Sequence, residues 1–179
     1  MAISKWQSLL ETIEVTGELC PTSVADLDKF EQNTGFKLPA SYRDYSVVFG
    51  PGVLVRPFRY RIAVPGKPDR AELNELKKFN QYVRESNYEY KEYCPDPDQF
   101  QRAWFFGTDL ATSWYFWDPQ AVTDPKANEC KIFVMHREWN IELLAASFWE
   151  FVSDVCLGKG VPGYNHDESI ERVFQPECD

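Results

Sequence analysis

Phe30-Glu31-Gln32-Asn33-Thr34-Gly35-Phe36-Lys37-Leu38-Pro39-Ala40-Ser41-Tyr42-Arg43-Asp44-Tyr45 holds the end of one helix, a corner, and the start of another. Upstream, the Ser23 hydroxyl is placed to cap the first helix, and Asp26 three residues on favours the positive end of its dipole. Val24, Leu27 and Phe30 recur at three-residue steps, which predicts one narrow buried stripe. Gly35 stops that helix, because glycine takes the left-handed conformation after a helix end without a Cβ clash. Pro39 starts the next one, since a proline in the first turn gives up no needed N–H and presets φ. Tyr42, Tyr45 and Phe49 form the buried side of the second helix, which halts at Gly50-Pro51-Gly52. The corner has an apolar face and no catalytic group.

Outward from the corner, Trp6, Leu9, Leu10 and Ile13 have helical spacing, predicting a short helix over residues 3–14 before Gly17. Val53–Val55 and the alternating run Phe58–Val64 read as strands, followed by a Pro65–Pro68 turn. Asp69 opens a helix running to about Ser86, with Leu73, Leu76, Asn80 and Val83 on one side. Tyr88–Tyr93 alternates tyrosine with charge and suits either a strand or the frayed end of that helix. Cys94-Pro95-Asp96-Pro97-Asp98 is expected to be irregular, because each proline restricts the residue before it. Ala103–Gly107, Ser113–Asp118 and Lys131–Met135 are the strongest strands. The first is continuously apolar, as burial on both faces requires, and Asp118-Pro119 and Asp124-Pro125 mark the loop between the other two. Ser147 with Glu150 is a capping box for a last helix that turns Phe148, Phe151, Val152 and Val155 inward and ends at Gly158. Helices flanking a mostly antiparallel sheet make an α+β domain.

The chain has 179 residues, with 13 Phe, 9 Tyr and 6 Trp to fill a core, which suits a single domain. No apolar run reaches the roughly 18 residues of a membrane-spanning helix, and Glu11 and Glu14 follow soon after a start lacking a signal-type apolar run. The expected location is cytoplasmic. Five cysteines, Cys20, Cys94, Cys130, Cys156 and Cys178, are odd in number and widely spaced. They suggest neither a disulfide framework nor a metal site, and read as buried or incidental reduced thiols.

The net charge of −9 repels nucleic-acid phosphates. One basic cluster, Arg56, Arg59, Arg61, Lys67 and Arg70, is interleaved with prolines and apolar residues and reads as a solvated strand and loop face. His136 and His166 lie thirty residues apart, and no spacing in the sequence joins either to a nucleophile. Asp96 and Asp98 sit beside prolines, as turn-formers do. No glycine-rich phosphate loop is present. The sequence predicts no catalytic residue, no metal and no cofactor.

Three motifs in order carry a family resemblance. Phe30-Glu31, Gly35, Leu38-Pro39, Tyr42 and Phe49-Gly50 resemble the signature of the SMI1/KNR4 family of the SUKH superfamily, with Phe49 in place of the usual asparagine. Phe106-Gly107-Thr108-Asp109 followed by Trp114–Asp118 is similar to the family's strand pair, and Leu144–Val152 to its closing helix. The resemblance spans roughly residues 20–157, interrupted by 56–100 as a family-variable region; the expected organisation is one α+β domain over residues 1–158, with 159–179 as a loosely attached tail. The resemblance implies a non-enzymatic protein-binding module, many bacterial members being immunity proteins against a toxin, often a nuclease. A regulatory scaffold of cell-wall or signalling control is the alternative class, and an enzyme built around His136 a third. Because nucleases present basic clefts, an acidic surface would be steered to them. The candidate partner-binding residues are Glu89, Glu92, Asp96, Asp98, Asp109 and Asp118, with Tyr88, Tyr90 and Tyr93 as anchors; an ordinary solvated face is the rival reading of that segment.

Overall fold

The computed structural model describes residues 2–56, 60–66, 69–87, 95–109, 113–138, 140–161 and 171–178. In chain order the elements are α1 (Ala2–Leu10), β1 (Glu14–Val15), α2 (Val24–Thr34), α3 (Ala40–Val48), β2 (Gly52–Arg56), β3 (Tyr60–Ile62), α4 (Leu76–Ser86), α5 (Pro97–Arg102), β4 (Trp104–Thr108), β5 (Trp114–Asp124), β6 (Glu129–Met135), β7 (Ile141–Ala145), α6 (Phe148–Glu150) and β8 (Glu171–Pro176). After α6 the chain continues through wider π-type turns over Phe151–Lys159. The strands form one sheet in the order β1-β8-β2-β3-β4-β5-β6-β7, antiparallel throughout except where β1 meets β8. The α+β class expected from the sequence is the class observed.

The corner forms as its sequence predicts. Ser23 Oγ accepts from the Asp26 N–H at 3.1 Å, and Gly35 sits at φ +71°. Glu31 then fastens the turn by accepting from the Leu38 N–H, the Lys37 ammonium and an Arg43 guanidinium N–H at 3.0, 3.0 and 2.9 Å. Pro39 caps α3 rather than entering it, at φ −57° and ψ 138°. Val24, the first residue of α2, departs from the expected stripe and is exposed, whereas Leu27 and Phe30 are buried.

Helices cover both faces of the sheet. On one face α1, α2, α3 and α6 pack Trp6, Tyr42, Tyr45, Phe49 and Phe148 onto Phe106 and Trp117. On the other, α4 and α5 bring Phe79, Val83 and Phe100 against Phe105, Phe116 and Met135. Alternation along a strand sends Phe105 and Phe106 to opposite faces, and likewise Phe116 and Trp117. That two-sided burial accounts for the unbroken apolar runs in β4 and β5.

Several expectations are corrected. The first helix ends at Leu10, and Glu14 and Val15 pair as β1 with β8. The helix expected from Asp69 begins at Leu76, where Glu75 accepts the cap bond from the Lys78 N–H. The proline-rich run holds a short helix: Asp96 Oδ1 accepts from the Gln99 N–H at 2.8 Å, and Pro97 occupies the first helical position, where it costs no bond. β5 runs through Pro119, so the turn into β6 is at residues 125–128, with Asn128 at φ +52°. Leu144 and Ala145 belong to strand β7, not to the closing helix, whose cap is Ser147 as expected.

The chain's end departs most from expectation. Far from a loose tail, residues 171–176 form β8 inside the sheet, where Phe174 is fully buried edge-on against Phe49. Cys20 and Cys178 are joined by a disulfide, with 5.7 Å between their Cα atoms. Reading all cysteines as reduced failed because this pair spans 158 residues and leaves no spacing signature. Cys130 and Cys156 are free and buried, as expected. The fifth cysteine, Cys94, lies outside the described residues, as do His166 and the run 88–93. Arg70 is buried, not solvated, reaching towards the Pro65 and Cys20 carbonyls, and Arg61 is paired with Glu177 at 2.8 Å.

Candidate partner-binding surface

The acids singled out from the sequence divide into two kinds. Asp118 is buried in a two-pronged pair with Arg102, at 2.8 Å from both Nε and Nη2, and accepts from the Gln120 N–H at 3.0 Å. Burial pushes its carboxyl up, but the guanidinium and these donors outweigh that and hold it below the usual carboxylate range. Asp118 therefore ties α5 to β5 and offers no charge to a partner. Asp109 is half-buried and accepts from the Ser113 N–H at 3.0 Å, closing the loop between β4 and β5. Asp96 and Asp98 are exposed at the start of α5. Tyr88, Glu89, Tyr90, Glu92 and Tyr93 lie outside the described residues.

The exposed acids stand beside a feature that the sequence did not single out. β7 ends the sheet on this side, so its outer backbone edge meets no further strand among the described residues. Edges of this kind are usually blunted by lysine, proline or short length, whereas β7 reads Ile141-Glu142-Leu143-Leu144-Ala145. Leu143 is 54% exposed beside Phe133, which stacks on Phe116 with ring centroids 5.5 Å apart. A shallow groove of about 450 Å³ runs here between Asp96, Gln99, Phe133, Asn140, Ile141 and Glu142. Glu138 and Glu142 add exposed carboxylates, with Arg137 and Lys131 as nearby exposed cations. The ingredients are an open backbone edge, half-covered apolar side chains and an acidic rim, which together suit a protein partner.

His136 does gather neighbours, yet not a working nucleophile. Its Nδ1 lies 3.3 Å from Ser113 Oγ and its Nε2 3.8 Å from Glu142 Oε2. Ser113 is wholly buried, so no substrate carbonyl can approach its hydroxyl. No group of three or more His, Cys, Asp or Glu able to hold a metal ion occurs among the described residues, and no helix among them is long and apolar enough to cross a membrane.

The decisive comparison is with family sequence profiles: that of the SMI1/KNR4 family, SUKH-1, matches residues 21–154. The chain belongs to the SMI1/KNR4 family. The matched span of this SUKH-1 chain runs from just before α2 into the π-type turns after α6, and so leaves out α1, β1 and β8. No curated protein matches the chain. Among solved structures, an uncharacterized protein from Salmonella enterica subsp. enterica serovar typhimurium str. 14028s is similar, at 14% identity and a TM-score of 0.46, over 93% of this chain and 82% of that one. Family membership is consistent with a protein-binding module.

Proposed function

We propose that this SUKH-1 protein is a non-enzymatic binding module of the cytoplasm, an immunity protein that neutralises a toxin by covering its basic, phosphate-binding cleft. The observation that carries this reading is the excess of acid, a net charge of −9, with Asp96, Asp98, Glu138 and Glu142 exposed around an open strand edge. A nuclease cleft presents lysine and arginine to phosphate, so opposite fields draw the pair together and raise the association rate at low salt. Apolar contact at Leu143 and Phe133 then supplies residence time, since rim charges act mostly on the rate of encounter. Glu89 and Glu92, with Tyr88, Tyr90 and Tyr93 between and beside them, extend the proposed acidic segment.

Co-purification from the native host identifies the partner, and association rates measured by stopped flow at several salt concentrations test the mechanism. Glu138→Lys with Glu142→Lys is expected to slow association about tenfold at low salt and to flatten its salt dependence. An unchanged rate discards this edge. Recovery of only acidic or neutral partners discards the cleft-covering reading itself.

A further inference from the structure

The Cys20–Cys178 disulfide joins two segments outside the family-matched span of residues 21–154: the strap leading into α2, and the end of the chain just after β8. Both segments rest on Gly50-Pro51-Gly52. A Cβ on Gly50, itself at φ +76°, would collide with the Cys20 carbonyl oxygen. One on Gly52 would lie 2.5 Å from the Gln175 carbonyl oxygen and from the Phe174 ring. The Pro51 carbonyl accepts from the Glu177 N–H at 3.1 Å. The glycines that end α3 thus also form the seat on which the strap and the terminal strand meet.

β8 stands between β2 and the two-residue β1, so one of its flanks has little ladder to hold it. Its ties are the ladder to β2, the buried Phe174, the Arg61–Glu177 pair and the disulfide. β1 is two residues long and pairs with β8, so it depends on it. Chemical access is selective as well. Cys178 is exposed and Cys20 half-buried, whereas Cys130 and Cys156 are buried thiols. In a reducing compartment a disulfide of this kind is usually transient and redox-sensing rather than permanent.

We propose that Cys20–Cys178 is a redox latch: a dithiol reductant of the thioredoxin type opens it, and opening loosens the β1–β8 flap from β2 while the family core stays folded. A thiolate of the reductant attacks Cys178 Sγ, the Cys20 thiolate leaves and takes a proton, and the second reductant thiol closes on the mixed disulfide to release Cys178. Two electrons and two protons pass to the protein, and the reductant leaves as its own disulfide. In the disulfide-bonded form the Glu18 carbonyl oxygen already lies 3.5 Å from Cys178 Sγ, so a thiol released there would have an acceptor at hand.

The test compares the full-length chain oxidised in air, reduced with dithiothreitol, and re-oxidised. Peptide mass spectrometry is expected to find a 20–178 cross-link in the first and third samples, and alkylation to gain two reactive thiols in the second. Amide exchange across residues 171–178 should become at least tenfold faster on reduction and recover on re-oxidation, with β4 and β6 unchanged. The Cys20→Ser/Cys178→Ser chain should match the reduced sample whatever the buffer. Absence of the cross-link overturns the proposal, as does equal protection of β8 in both states. Uniform loosening of the whole sheet also overturns it, because the bond would then be a global staple and not a latch.

Discussion

Replacing Glu129 should unfasten two helices at once. Its carboxylate is buried, and among the described residues no cation stands within ion-pair distance of it. What holds it is a set of donors at helix N-termini: the Ser41 N–H at 2.7 Å, the Ser41 hydroxyl at 2.9 Å and the Phe148 N–H at 3.4 Å. One side chain on β6 thus caps both α3 and α6, and the positive ends of their dipoles offset its charge. An N-cap contributes about 1 kcal/mol, and a hydrogen bond to a charged group about 1.5–3 kcal/mol. Allowing for the long Phe148 contact, Glu129→Ala should cost ~3 kcal/mol. Glu129→Gln keeps one acceptor oxygen but turns an NH2 toward a donor, and should cost about half as much. For a chain of this size that is a fall in melting temperature of about 6–12 °C for the alanine variant. Urea unfolding followed by tryptophan fluorescence measures it, with the slope m expected to stay constant. If both variants fall within about 0.5 kcal/mol of wild type, the dual-cap reasoning is wrong, since that is the range of an unremarkable surface change.

Asn80→Ala should destabilise by about 3 kcal/mol in the same assay, because its amide pairs with both the N–H and the C=O of Phe105 at 2.8 and 2.6 Å and leaves two buried groups orphaned when removed. Acid unfolding should depend on Asp118. A carboxyl held below its ordinary range contributes stability that is present above about pH 4 and is lost as pH falls through its folded value, so Asp118→Asn should flatten the acid limb of a stability–pH curve. Cys130, whose thiol burial pushes up to about 11, and Cys156, also pushed well up by burial, should resist alkylation in the native chain and react fully only in denaturant. Tyr42→Phe removes the 2.5 Å bond from its hydroxyl to the Ala63 carbonyl and should cost about 1 kcal/mol without weakening partner binding. Loss of binding in a folded Tyr42→Phe chain would place function in the corner after all.

Signals that act within a few residues were legible in the sequence. The Ser23 and Ser147 caps, the left-handed Gly35, the start of α3 after Pro39 and the two-sided apolar runs of β4 and β5 are each set by backbone sterics or by the nearest side chains. The α5 helix could have been read as well, since Asp96 followed by Pro97 is a cap and a first-turn proline. Among the described residues of the candidate surface, the exposed acids Asp96 and Asp98 were singled out; the open edge of β7 depends on which strand ends the sheet, and no local pattern encodes that.

Pairings over long separations belong to the tertiary structure alone. Only the assembled sheet turns Asp118 inward onto Arg102, brings Glu129 to Ser41 from 88 residues away and slots the last strand between β1 and β2. The physical reason is common to all three: a cap or a turn is decided by a few dihedral angles, whereas these contacts form once loop-closure entropy has been met by burial of the apolar faces. The chain's composition determined that it would be acidic with an aromatic core, and the order of its helix and strand patterns determined the α+β class. Which acids face outward, and which two cysteines meet, was decided by how that core packs.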